Sequence, residues 1–395
     1  MRAVLAAVVL AVALPAPSTR AAGELLASEI VEVRQVPGPL APDPGAPLWA
    51  GVPAREIPLA PQRTLRLHDR AANAALAEPA PRALSVRAVT DGRLLAVLLE
   101  WPDATEDRAR LDELERYGDA AALQFPLRFG PGRRLPYVGM GDGEERVLLH
   151  LARAGAEGTQ VRSAVAAGFG SSTRADAPAV QAAMRHDRAH GTWRAVFVRP
   201  LAVGANDLAR GLVPVAFAVW DGARHERGGN KALSAWKLLR LPGREVDPAF
   251  AAELEAGRRP EDRGDLARGK QLVDGMCAAC HHVGDRRLAR AGLAPDLTAI
   301  GLQATPAYLR ESIVKPSAVI VPSPNAAQHQ DRARPRDANG AFPRAEAFVW
   351  ARTDAGGKQV SRMPPYAALP PADLNAMVTY LMTQGAPPAG AGRTP

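Results

Sequence analysis

The sequence predicts a multidomain chain, an all-β antiparallel sandwich at the amino-terminal end followed by an all-α domain at the carboxy-terminal end. Three observations predict it. Short runs bearing β-branched or aromatic residues, separated by Gly, Pro or Asp, recur up to residue 241. A charged stretch at 242–264 then breaks the pattern, and beyond it apolar residues recur at three- and four-residue steps. With 395 residues there is chain enough for two or three domains, each with its own core.

Residues 1–22 read as a cleavable leader. Arg2 supplies a charged start, residues 3–14 a small apolar run, and residues 15–22 a breaker and small residues, with cleavage expected after Ala21 or Ala22. The run is too short to span a bilayer, and there is no twin-arginine pair, so secretory export of a non-membrane-spanning protein is expected. Residues 23–80, rich in proline and alanine, predict an extended, loop-heavy approach to the sandwich. Strands follow at 84–89 and 94–101, joined by Thr90-Asp91-Gly92-Arg93, whose Asp-Gly pair suits a tight hairpin. Further strands are expected at 121–127, 146–151, 192–199, 213–220 and 234–241, with a short helix at 175–184. Residues 242–264 read as an interdomain linker.

In the second domain, spanning 265–385, Leu266, Gly269, Val273 and Met276 lie on one helical face that leads into Cys277-Ala278-Ala279-Cys280-His281. Two cysteines with two spacers and an adjacent histidine provide two thiols for the vinyl groups of a haem and an imidazole for its iron. A zinc site would need more ligands at metal-binding spacing, and the chain has only these 2 cysteines. Both are consumed by haem, so no disulfide is expected. Thr305-Pro306 starts a helix that Lys315-Pro316 ends, and Leu374, Met377, Val378 and Leu381 form the stripe of a last helix. Residues 322–361 read as an insertion with a hairpin near 348–360, and 386–395 as a disordered tail. The formal charge of +8, about +6 once Arg2 and Arg20 are removed, favours acidic redox partners. Scattered arginines without interleaved aromatics argue against nucleic acid.

The pentad, Pro295-Asp296-Leu297 and Met363-Pro364-Pro365-Tyr366 together resemble a class I cytochrome c over residues 266–383. The resemblance implies one covalent haem c with His281 and Met363 as axial ligands, and a Pro295 carbonyl that orients the His281 ring. A thioether ligand favours the ferrous state. Met377 and Met382 have helical spacing that suits core packing, and His282 reads as a solvent-facing neighbour.

In the first domain, Val213 to Trp236 (VPVAFAVWDGARHERGGNKALSAW) and Leu135 to Asp142 (LPYVGMGD) resemble the haem b subunit of the type II dimethyl sulfoxide reductase family, which includes the ethylbenzene, dimethyl sulfide and selenate enzymes. The resemblance covers residues 83–241 and implies one non-covalent haem b held by Met140 and Lys231. Lysine ligates iron only as the neutral amine, so Lys231 must be desolvated. Lys237 and His150 are the rival ligands, the first reading as an outward-facing charge and the second as a packed or surface histidine. The acidic pair Glu144-Glu145 reads as solvated surface, and no catalytic constellation is found.

Together the resemblances imply a periplasmic electron-transfer subunit with no catalysis of its own. It would relay electrons between the iron-sulfur subunit of a molybdenum oxidoreductase and a soluble or membrane carrier, such as a cytochrome or oxidase. The combination of b and c haems also resembles the third subunit of some nitrite oxidoreductases. One alternative is a carbohydrate-binding sandwich fused to a cytochrome c, which would show aromatic residues facing an open groove. Another is a dihaem peroxidase, which would be expected to carry a second CxxCH.

Overall fold

The computed structural model describes residues 26–62, 82–109, 117–168, 171–175, 180–203, 206–258, 264–284, 294–321 and 351–385. The expected leader, the insert up to residue 350 and the expected tail lie outside the described residues.

Among the described residues, fifteen strands build the first domain. They are β1 Ile30–Gln35, β2 Arg55–Gln62, β3 Arg82–Thr90, β4 Leu94–Pro102, β5 Ala120–Pro126, β6 Val147–Gly155, β7 Gly158–Ala166, β8 Thr173–Arg174, β9 Gln181–Asp187, β10 Thr192–Pro200, β11 Ala202–Val203, β12 Asn206–Asp207, β13 Leu212–Trp220, β14 Lys231–Leu233 and β15 Lys237–Arg240. Apart from the β11–β12 ribbon, they pair in the order β8-β7-β6-β5-β13-β14-β2-β3-β4-β10-β9, with β1 joining β15 and β3. Pairing is antiparallel except for β1, which runs parallel to both neighbours.

The hydrophobic core lies between the two halves of this path, where Leu84, Val86, Val97, Leu99 and Phe197 meet Leu123, Phe125, Val215, Phe217 and Val219. Because side chains alternate along a strand, each half also has an outer face. The outer face of β3, β4 and β10 (Val89, Ala96, Leu98, Val196, Val198) is covered by Leu40, Trp49 and Val52 from the proline-rich approach segment. The outer face of β5 and β13 is different, being built largely of alanine: Ala120 and Ala122, Ala216 and Ala218.

Three expectations need correction. The approach segment holds β1 and β2. Pro58 and Pro61 obscure β2, but each of its residues has one partner strand only, β3 for Arg55 to Leu59 and β14 for Ala60 to Gln62. Prolines are tolerated at such singly paired positions. The helix expected at 175–184 is replaced where described by β9, because pairing with β10 from Gln181 to Asp187 overrides the helical preference of its alanines. The stretch read as a linker contains helix α1, Pro248–Arg258. Phe250 and Leu254, one turn apart, bury into the sandwich core, and Phe250 lies 6.1 Å from Phe129 between ring centroids.

The second domain contains α2 (Leu266–Leu272), a wide turn at Val273–Cys277, α3 (Pro306–Val314), the hairpin β16 (Ala351–Thr353) and β17 (Gln359–Ser361), and α4 (Pro371–Met382). Asp265 caps α2 by accepting from the N–H groups of Ala267 and Arg268, and Thr305 caps α3. Leu272, Val273, Leu309, Ile313, Leu374, Met377, Val378 and Leu381 form one core, so Met377 packs as its spacing predicts. Helices α2 and α4 cross at Gly269, where a Cβ would sit 2.1 Å from the Ala376 carbonyl oxygen. Among the described residues no helix is long and apolar enough to cross a membrane.

His150 lies on the inner face of β6, fully buried. Its Nδ1 is 2.9 Å from Ser163 Oγ, and its Nε2 faces an Arg199 guanidinium nitrogen at 3.2 Å. Arg199 is buried as well, donating to Asn206 Oδ1 at 2.8 Å and lying 4.9 Å over the Phe125 ring. Burial, with the Arg199 charge, depresses the His150 pKa to about 3. An unfolded histidine titrates near 6.5, so between these values the unfolded chain binds a proton that the fold refuses. Stability is therefore complete above pH 6.5 and declines toward pH 3, by about 1.4 kcal/mol per pH unit from this residue. The His150→Gln variant should show a flatter urea-midpoint profile over that window; an unchanged slope would mean that His150 contributes nothing to acid sensitivity.

Candidate cofactor sites

The wide turn at the end of α2 positions the pentad. Ala278 N–H donates to the Val273 carbonyl at 3.0 Å, closing a five-residue step, and the N–H groups of Cys280 and His281 both donate to the Cys277 carbonyl at 3.0 Å. Such wide turns recur at functional sites. Cys277, Cys280, His281 and Met363 line one cavity of about 240 Å³, along with Leu297, Ile313 and Tyr366. His281 Nδ1 donates to the Pro295 carbonyl at 2.7 Å, which leaves the Nε2 lone pair for a metal. Burial lowers the His281 pKa and so favours that neutral form. Burial, with Cys280 nearby, pushes the Cys277 thiol up to about 11. Met363 N–H donates to Ser361 Oγ at 3.1 Å, which ties the methionine loop to the end of β17. The pentad and Met363, 82 positions apart from His281 in the numbering, are thus brought to one cavity whose donor set of two thiols, an imidazole and a thioether fits a covalently attached haem.

The second site is the alanine face of the sandwich. Ala122 of β5 pairs with Ala218 of β13, Ala120 with Trp220 and Gln124 with Ala216, and Leu149, Leu151, Ala166, Leu233 and Trp236 belong to the same cluster. Met140 and Val138 pack onto this face from the loop between β5 and β6. Lys231, the first residue of β14, has its ammonium nitrogen 5.4 Å from the centre of the Trp220 ring. It is 5% exposed, and burial lowers its pKa to about 8, bringing the neutral amine within easy reach. The four alanines are buried in this cluster of small and aromatic side chains, with the Met140 thioether packed against it and the desolvated Lys231 amine near Trp220.

Met140 has φ +83°, a region costly for a side chain of this kind. The loop that imposes it is built around Asp142. This carboxylate, 3% exposed, accepts both guanidinium N–H groups of Arg134 (2.8 and 3.0 Å) and the backbone N–H groups of Tyr137 (2.9 Å), Glu144 (3.2 Å) and Glu145 (3.1 Å). Burial opposes its charge, but these donors outweigh burial and hold its pKa below the usual carboxylate range. Gln124 and Trp236 fasten the loop to the sheet through the Val138 and Pro136 carbonyls, at 2.7 and 2.8 Å.

The rival ligands are elsewhere. His150 faces the core between the sheets, away from the alanines. Lys237 is not an outward-facing charge: it is buried and pairs with Glu29 at 2.6 Å. Asp142 and Tyr137 carried no role in the sequence reading, although the loop motif contains both. The visible signal for the alanine platform was a pair of alternate alanines in each strand, Ala120 and Ala122 in β5 and Ala216 and Ala218 in β13.

Removing one partner of a buried, hydrogen-bonded ion pair leaves the other uncompensated. Asp142→Asn is expected to destabilise the sandwich by about 2 kcal/mol in urea unfolding, with Arg134→Lys costing less, since a lysine keeps the charge but loses the two-pronged contact. A stability loss within experimental error for Asp142→Asn would mean that the loop is held by other contacts.

The cytochrome c family matches residues 266–385. Chlorate reductase subunit gamma of Ideonella dechloratans is 33% identical over 222 residues, which cover 54% of this chain and 86% of that protein. Dimethylsulfide dehydrogenase subunit gamma of Rhodovulum sulfidophilum is 30% identical, covering 50% of this chain and 75% of its own length. A family 9 carbohydrate-binding module from Caldicellulosiruptor kristjanssonii aligns in structure at a TM-score of 0.32 and 10% identity, covering 55% of this chain and 98% of the module, which is too weak to carry a conclusion. Electron transport through haem is thus the role of the chain's class. The chain belongs to the gamma-subunit family of the type II dimethyl sulfoxide reductase enzymes, with a cytochrome c domain at its carboxy-terminal end.

Proposed function

We propose that this subunit holds two haems, one non-covalent on the alanine platform and one covalent at the pentad, and relays single electrons between an oxidoreductase partner and an external carrier. The observation that carries the reading is the desolvated Lys231 placed with Met140 at the edge of a platform of small side chains. Burial penalises the ammonium form of Lys231 and so favours the neutral amine that an iron could accept as a ligand.

When bound, a haem supplies reversible one-electron chemistry at iron. The chain's own residues do the rest. Cys277 and Cys280 would anchor the covalent group, with His281 Nε2 and the Met363 thioether as its axial donors. Met140 and Lys231 would serve the platform, where the alanines exclude water and Trp220 and Trp236 close its side. The sugar-binding alternative required aromatic residues on an open groove, whereas Trp220 and Trp236 are 9% and 7% exposed.

The relatives named above are gamma subunits of chlorate reductase and dimethylsulfide dehydrogenase. By extension, the partners of this chain are an iron-sulfur subunit and a molybdenum catalytic subunit, and the chain contributes no catalysis of its own. The positive net charge favours docking to acidic surfaces. The apolar leader and the pentad support a periplasmic location.

Acid-acetone extraction of the purified protein should release one haem per chain and leave one attached. Lys231→Ala should lose the extractable haem or turn it high-spin, leaving the covalent haem as an internal control in the same sample. A wild-type protein with only the attached haem, when produced with ample haem supply, would overturn the platform assignment. A native low-spin extractable haem in the Lys231 variant would assign its ligand elsewhere.

A further inference from the structure

The loop at Leu135 to Asp142 touches more than the sandwich. Tyr137 lines the cavity that contains Cys277, Cys280, His281 and Met363, although it belongs to the other domain. It also lines a second cavity, of about 580 Å³, between the domains, where Arg134, Trp236 and Arg258 face Thr305, Tyr308 and Glu311. Desolvation pushes the Tyr137 phenol up beyond its ordinary range, with Tyr308 as the second cause, and Tyr308 itself is raised to about 12 mainly by burial. Two half-buried tyrosines from different domains therefore both line the pentad cavity and the cavity between the domains.

The following residues face the other way. Val138 and Met140 pack onto the alanine platform. Tyr137 N–H is fixed by Asp142 at 2.9 Å, and the Tyr137 carbonyl accepts from Gly141 N–H at 2.8 Å, so the segment is a closed turn whose two ends cannot move independently. Consecutive Cα atoms are 3.8 Å apart, so Tyr137 and Met140 are within about 11 Å of each other along the chain even if extended.

The ring has a dedicated seat. A Cβ on Gly139 would stand 2.5 Å from Tyr137 Cε1, 2.8 Å from Cζ and 2.9 Å from the hydroxyl oxygen. Only a glycine at 139 lets the ring lie back over the loop in this position. The loop thus spends a glycine on the placement of one aromatic ring that contributes to the neighbouring domain's cavity.

We propose that Tyr137 is the joint between the two cofactor sites, closing the covalent site against water and carrying the contact across which an electron passes from one site to the other. This rests on the two-haem reading above. In the transfer, the donor iron goes from ferrous to ferric and the acceptor from ferric to ferrous, with one electron moved and no bond or proton exchanged. Water admitted to the covalent site would favour its more highly charged ferric state, so opening the joint should lower that potential.

The test uses full-length protein with its haem content measured first. Tyr137→Phe keeps the ring and should behave as wild type. Tyr137→Leu removes the aromatic ring but fills space, and Gly139→Ala keeps Tyr137 but displaces it. Both are expected to lower the potential of the covalent haem in spectroelectrochemical titration. Both should also slow electron re-equilibration between the haems, after flash photoreduction, at least tenfold. Protein with both haems bound and with unchanged potential and rate in these two variants would overturn the role of Tyr137. If wild type has no extractable haem, the two-haem reading fails instead, while the potential shift still decides whether Tyr137 closes the covalent site. Loss of the extractable haem in Gly139→Ala alone would show a role in loop folding only and would also count against the joint.

Discussion

The bidentate contact between Arg134 and Asp142 is the interaction on which the rest of the molecule's site architecture depends. A loop without regular hydrogen bonding has to satisfy its backbone N–H groups locally. Here one buried carboxylate accepts from three of them as well as from the guanidinium. With the loop closed in this way, Met140 is held at a positive φ that it would otherwise leave, and Tyr137 is turned toward the second domain. A single charge-assisted cluster therefore fixes side chains on both sides of the loop.

Around that loop, the two outer faces of the sandwich have been given different tasks. The face of β3, β4 and β10 carries valine and leucine and is sealed permanently by Trp49 and its neighbours. The face of β5 and β13 replaces those bulky residues with alanine, giving up apolar area that would have contributed to stability at roughly 25 cal/mol per Å². A sheet gains nothing structural from this exchange. On the two-haem reading it makes room for a flat group, and the buried Lys231 is a second departure from what stability alone would favour. Departures of this kind cluster where a fold serves a ligand.

Features governed by local spacing were legible in the chain itself. Cys277, Cys280 and His281 share one turn, the Thr305-Pro306 start and the Lys315-Pro316 stop bracket α3, and β13 is a dense apolar run that can hardly be anything but a buried strand. Features that depend on partners distant in sequence were not. Pro58 and Pro61 argued against β2, whose pairing with two different strands makes them harmless. The one apolar period in a charged stretch, Phe250 and Leu254, was too short to signal α1, because the surface it packs on, including Phe129, is contributed by the sandwich. Lys237 looked like a surface charge because Glu29 is 208 positions away. The loop motif named Met140, but what Asp142 does could be seen only once its loop was folded, and what Tyr137 does only once the second domain was packed against the first.

The central claim is that one chain carries two irons with different axial donors, imidazole with thioether in one domain and amine with thioether in the other. Near-infrared magnetic circular dichroism of the fully oxidised protein tests it most directly, because the charge-transfer band of a low-spin ferric haem moves with the identity of its axial pair. Two resolved bands are expected, one at the position of histidine-methionine haems and one at that of amine-methionine haems. A single histidine-methionine band from protein with its full haem content would contradict the account.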